Sequence, residues 1–261
     1  MFRTVCAALF VMAATISASA QSSVSPDVVR DLAPTGTLRV AINFGNMVLA
    51  QGSAEAPRGV SVDLARELGK RLGVPVALIT FDAAGKAFES MKAGATDICF
   101  MAIEPVRAAE VNFTAPYVLI EGVYMVHKDS PIRQNADVDR AGVRIGVNRA
   151  SAYDLYLTRT LKGATLVRDA SGIDVFIRDK LEATAGVKQA MQAYAKTNPE
   201  MRLLEPRFME IQQAMGTRKD RGEAGVKYLR AFVEEMKASG FVADGLKRSN
   251  QPDAAVAPPA M

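Results

Sequence analysis

The chain has 261 residues, 49% of them hydrophobic, with 32 Lys and Arg against 28 Asp and Glu, one His, two Cys and no Trp. That composition excludes collagen, low-complexity and disulfide-scaffold classes, and a formal net charge of only +4, scattered along the chain, argues against nucleic-acid binding. The chain is long enough to bury a sizeable core.

Residues 1–20 combine Arg3, an apolar run over 5–16 and the small triplet Ala18-Ser19-Ala20 before Gln21, the pattern of a secretory leader cleaved after Ala20. A spanning helix needs about twenty apolar residues, so this run is too short for an anchor, and the remainder is expected in the periplasm without membrane insertion. Losing the leader removes Cys6 and the single charge of Arg3, which takes the formal +4 to +3 and leaves Cys99 alone. One thiol makes neither an internal disulfide nor a cysteine metal site, so core burial has to hold the fold.

Residues 37–42 read as a buried first strand between Gly36 and Asn43. Val60, Val62, Leu64, Leu68 and Leu72 predict a helix face that stops at Gly73, where a helix C-terminus favours glycine. A second strand over 76–80, a short helix over 86–92 and a third strand over 97–101 complete a βαβαβ order, which implies an α/β layer with a mainly parallel sheet. The pattern then restarts, with strands over 118–126 and 143–147, a helix over 152–161, a strand over 164–167 and a helix over 172–179. A further strand is predicted over 208–215, and Val226, Leu229, Phe232, Val233 and Met236 stripe a helix that closes near Gly240. Residues 250–261 are rich in Ala and Pro without periodicity and are expected to be a disordered tail.

Histidine chemistry would rest on His127 alone, at a strand end, where a surface role is the better reading. The chain has no His-Glu-x-x-His, no Cys-x-x-Cys, no phosphate loop and no Gly-x-Gly-x-x-Gly after a strand, which favours a binding protein and implies no metal or other cofactor.

The stretch over 93–117 carries Gly94, Asp97, Arg107, Phe113, Pro116 and Tyr117, with the arginine six residues before the phenylalanine. It resembles the signature of type 2 periplasmic solute-binding proteins of ABC importers, in the family serving polar amino acids. Similar segments occur at Gly36-Thr-Leu-Arg-Val40, over 62–73, over 146–152 and over 232–241, so the resemblance covers most of 35–248. It implies an α/β fold of two lobes joined by two crossing strands, with a ligand in the cleft and hinge closure around it. The expected division is lobe 1 over 27–118 plus 216–249 and lobe 2 over 119–215.

The same resemblance implies that Arg107 anchors a ligand carboxylate, for which a guanidinium offers two parallel donors; without it, an ordinary surface arginine paired with Glu104 or Glu110 is the alternative. Ser151 and Ala152, at the start of the second-unit helix, are the expected second contact, with helix capping as the other role for Ser151. Asn43 and Phe44 follow the first strand, where the family sets a polar residue and an aromatic; Phe44 fits the core equally well. The chain also departs from the family. Ala102 stands where a ligand-binding Ser or Thr is common, Ala150 where the turn usually has glycine, and 181–187 ends without the acid that pairs with an α-ammonium. Glu121 and Gln212, on the presumed crossing strands, are candidate substitutes.

The reading is therefore a monomeric periplasmic protein that binds a small carboxylated solute, amino-acid-like or an organic acid, for an ABC permease. Two alternatives stay open. One is a dehydratase-like enzyme on the same fold using Glu104, Glu121 or Glu182 as acid, and the other an accessory or sensory subunit that has lost transport.

Overall fold

The computed structural model describes residues 24–260; the leader reading over 1–20 lies outside them. The chain opens with α1 (Pro26–Leu32), then β1 (Leu38–Asn43), the two-residue strands β2 (Gln51–Gly52) and β3 (Pro57–Arg58), and α2 (Val60–Leu72). The predicted apolar face of α2 is buried, and the helix ends at Gly73, whose φ of 69° is the left-handed conformation a side chain resists. β4 (Val76–Phe81), α3 (Ala84–Lys92), β5 (Ile98–Ala102) and the single-turn α4 (Pro105–Ala108) follow. β1 lies parallel between β4 and β5, as the βαβαβ order requires.

β6 (Val111–His127) then runs for 17 residues into a second parallel set, with β7 (Arg144–Asn148), α5 (Ala152–Thr160), β8 (Thr165–Asp169), α6 (Gly172–Arg178), β9 (Ala183–Val187), α7 (Lys188–Thr197) and β10 (Met201–Leu203). β11 (Met209–Arg218) returns, and α8 (Glu223–Ala238), α9 (Phe241–Arg248) and β12 (Ala255–Val256) close the chain. The strand order β4-β1-β5-β11-β6-β9-β7-β8 is two parallel half-sheets sharing the antiparallel pair β6 and β11. β6 is longer than the 118–126 expected because its first half pairs with the last residues of β11. Pro116 lacks a ladder donor, and the register of β11 shifts at Ala214, opposite it, which absorbs the break.

One large core runs through both halves, joining Leu38, Val40, Ile42, Leu64, Leu68 and Ile98 and the α8 residues Leu229, Phe232 and Val233 with Ile145 and Val147 of β7, while Val123, Met125, Val175, Phe176, Leu181 and Met191 form a smaller cluster in the second half. Among the described residues no helix is long and apolar enough to cross a membrane.

The expectation of a disordered tail is corrected. β12 pairs antiparallel with Leu119 and Val118 of β6, the Ala257 N–H donates to the Tyr117 carbonyl at 3.1 Å, and Lys237 Nζ donates to the Pro258 carbonyl at 2.8 Å. The edge of β6 away from β11 offers unpaired backbone groups there, and small residues such as Ala254 and Ala257, both buried, let the tail approach closely enough to use them.

Candidate functional site

Three polar side chains stand at or just beyond the C-terminal ends of parallel strands: Asn43 on β1, Asp82 after β4 and Asn148 on β7. Parallel α/β sheets leave side chains free for a ligand at these ends. They line a cavity of about 60 Å³ between the two halves, together with Asn46, Ala102, Arg107 and Gln213 from the first half and crossing strand and Ser151, Ala152 and Val187 from the second.

Arg107 is the most buried charged group there, at 1% exposure. Pro105 starts the single turn of α4, and the Arg107 N–H donates to the Glu104 carbonyl at 2.9 Å, which folds the arginine back toward the cavity. Its guanidinium meets two carbonyl oxygens: Nη1 donates to Ala102 at 3.1 Å, and Nη2 reaches across the gap to Ala150 at 2.9 Å. Burial pushes its pKa down to about 10, opposed by the nearby charge of Glu104. The Glu104 carboxylate itself lies 2.6 Å from Arg159 Nη1 of α5, in an ion pair without the alignment of a hydrogen bond.

In the second half the turn before α5 does without glycine, as the sequence requires. Ala150 adopts a φ of +57°, a conformation costing an alanine on the order of 1 kcal/mol. Asp154 holds it there: Oδ2 accepts the Ala150 N–H at 2.8 Å while Oδ1 accepts from Arg168 Nε at 2.8 Å. Ser151 Oγ accepts the Asp154 N–H at 3.1 Å, so the hydroxyl caps α5 while the residue borders the cavity.

Of the residues singled out from sequence, Asn43, Ala102, Arg107, Ser151 and Ala152 meet at the cavity, and three do not. Phe44 is half-buried against the hydrophobic core and borders a separate shallow depression. Glu121 lies on the flank of the crossing strands, where Lys188 Nζ at 2.7 Å and Arg207 Nη1 at 2.9 Å hold its carboxyl below the usual range. Gln212 is exposed, because successive strand residues face opposite ways; its neighbour Gln213, 5% exposed, lines the cavity instead. Sequence reasoning missed Asn46 and Asp82, reached Asn148 only as the first residue of the turn expected as second anchor, and reached Val187 only as the end of the segment lacking an acid. The strand end was a usable signal for Asp82.

The acids offered for an enzyme are elsewhere. Glu182 pairs with Arg144 at 2.9 Å, and neither it, Glu104 nor Glu121 borders the cavity. Among the described residues Asp82 is the one carboxylate that does, and Lys86 Nζ at 2.7 Å holds its pKa below the usual value. Among the described residues no three His, Cys, Asp or Glu side chains gather as metal ligands.

No curated protein matches the chain. Among solved structures, a mutant of ArgBP from T. maritima is similar at 21% identity with a TM-score of 0.71, over 85% of this chain and 99% of that one. A binding component of an ABC transporter from Wolinella succinogenes, complexed with lysine, aligns at 20% identity and a TM-score of 0.69, over 82% and 95% of the two chains. The ancestral amino acid-binding protein AncCDT-1, a precursor of cyclohexadienyl dehydratase, aligns at 21% and 0.69, over 84% and 98%. These likenesses establish a shared two-lobe fold. The family profile matches residues 40–248, and with most of its length so matched the chain belongs to the bacterial extracellular solute-binding proteins, family 3.

Proposed function

We propose that the protein is a periplasmic, monomeric solute-binding protein that captures a small carboxylated solute between its lobes and presents the closed form to an ABC importer. In this reading the leader is cleaved after Ala20, lobe 1 comprises 27–118 and 216–249, and lobe 2 comprises 119–215. The observation that carries it is Arg107, a guanidinium almost wholly buried at the cavity whose own hydrogen bonds go to carbonyl oxygens and not to a carboxylate. An ion in that setting gains from an anionic partner, because the pair is desolvated and its hydrogen bonds are charge-assisted. The structural relatives named above include one complexed with lysine, whose carboxylate has the required chemistry.

Closure follows from the same geometry. A ligand held by Arg107 on one side and by the turn before α5 on the other gains its full contacts only when the halves meet, so binding shifts the population toward the closed form. The position of Glu104, Glu121 and Glu182 away from the cavity, and the depressed pKa of Asp82, supply no proton donor for a dehydratase-like reaction, which favours binding over catalysis.

Calorimetry on Arg107→Ala and Arg107→Lys with a carboxylate that binds the parent tests this. Both should weaken binding by more than about tenfold, a loss of about 1.4 kcal/mol, since an ammonium cannot form the bidentate pair. Binding within about threefold of the parent in both would move the anchor elsewhere.

A further inference from the structure

Around Arg107 the cavity presents oriented amide donors, and these bear on the class of solute. Three asparagines border it, and in each the side-chain carbonyl is already taken by a backbone N–H: Asn43 Oδ1 by Gly45 at 2.9 Å, Asn46 Oδ1 by Val48 at 3.3 Å and Asn148 Oδ1 by Gly172 at 2.8 Å. A backbone N–H cannot accept a hydrogen bond, so these contacts orient each amide with its oxygen toward the backbone and its NH2 left to donate. Gln213 adds a fourth amide, nine-tenths buried, on β11, and among the described residues its side chain makes no hydrogen bond. Its amide borders the cavity, where a ligand atom could pair with it.

With Arg107, these groups present donors from both halves of the molecule. The acceptor that an α-ammonium needs is not matched in kind. Asp82 is the one bordering carboxylate among the described residues; its side chain is 73% exposed and already paired with Lys86. Val187, at the end of β9, offers an apolar surface to the cavity. A protonated amine beside Arg107 and the NH2 groups of Asn43, Asn46 and Asn148 would meet donors of the wrong polarity.

We infer that the solute is an acid bearing oxygen acceptors at both ends and no amine, a 2-oxo, 2-hydroxy or dicarboxylic acid, with its carboxylate on Arg107 and its second oxygen group on the amides of Gln213 and Asn148. This deepens the binding function proposed above and rests on it.

The test is a calorimetric panel on the chain from Gln21 onward: glyoxylate, pyruvate, L-lactate and oxalate against glycine, L-alanine, L-lysine and L-arginine. At least one of the acids should bind ten times more tightly than any amino acid. Gln213→Glu exchanges a donor for an anionic acceptor at nearly constant shape and should weaken that acid by about 10- to 100-fold, the range for one hydrogen bond to a charged group. Asn148→Asp should act in the same direction, and unchanged circular dichroism and melting would separate either loss from misfolding. If an amino acid binds most tightly and Arg107→Ala abolishes it, the carboxylate anchor stands and the inference about class is wrong. If Gln213→Glu and Asn148→Asp leave acid binding within threefold, the amides do not read the ligand. If no member of the panel binds, both the inference and the small-carboxylate reading fall.

Discussion

Glu104, just ahead of α4 in the first half of the sheet, and Arg159, near the end of α5 in the second, approach to 2.6 Å across the gap that holds the cavity. The carboxylate is 5% exposed and the guanidinium 41%, so the pair is desolvated mainly on the acid side. Together with the bond from Arg107 to the Ala150 carbonyl, it ties the halves with the protein's own groups.

Arg159→Ala should therefore shift the protein toward the open form. In the closed form the variant would bury Glu104 without its partner, a penalty that opening relieves by returning the carboxylate to water. With the arginine half-exposed, the effect is on the order of 1 kcal/mol, or about fivefold in ligand affinity. Small-angle scattering of the free protein should show a larger radius of gyration than the parent, with little change in melting temperature. An unchanged radius and affinity would mean that the pair does not hold the halves together.

A second contact between the halves is steric. A Cβ placed on Gly85, in the first turn of α3, would lie 2.8 Å from the Ala150 Cβ across the gap. Gly85→Leu suits helix propensity, so the first half should fold as well as before. It should obstruct closure, since real Cβ atoms do not approach so closely and the leucine is larger still. Ligand affinity should fall by more than about tenfold while denaturant unfolding stays near the parent's, and full affinity in this variant would show that closure leaves room at this point.

Much of this architecture was legible in the sequence because its signals are local. The α2 stripe with Gly73, the β-branched strands and the spacing of Arg107 from Phe113 each rest on residues within one segment. What was missed depends on neighbours far along the chain. β9, with the sequence Ala-Thr-Ala-Gly-Val, is too poor in large apolar residues to announce itself; it is a strand because it pairs with Val123 and Tyr124 and packs under Met191, whose Cε would meet a Cβ on Gly186 at 2.1 Å. β12 exists because β6 has a free edge beside it. The exchange of Gln212 for Gln213 is a question of strand phase, and a shift of one residue turns every side chain to the other face.

The flank of the crossing strands gives a prediction for pH. Glu121 is held by Lys188 and Arg207, and its pKa is depressed by hydrogen bonds to both. A carboxyl whose folded-state pKa lies below its unfolded value of about 4.3 contributes stability that is fully present above that pH and lost as the pH falls through the folded-state value. Its contribution should thus be constant from pH 6 to 8 and vanish in strong acid. The carboxylate is about one-third exposed, so the magnitude belongs to surface pairs, about 1 kcal/mol or less. Glu121→Gln should lower the melting temperature at pH 7 by about 2–4 °C, for a chain of this size, and the difference should shrink as the pH falls below about 4.3. A difference that stays constant as the pH is lowered through the acid range would show that Glu121 acts through packing beside β12 rather than through its charge.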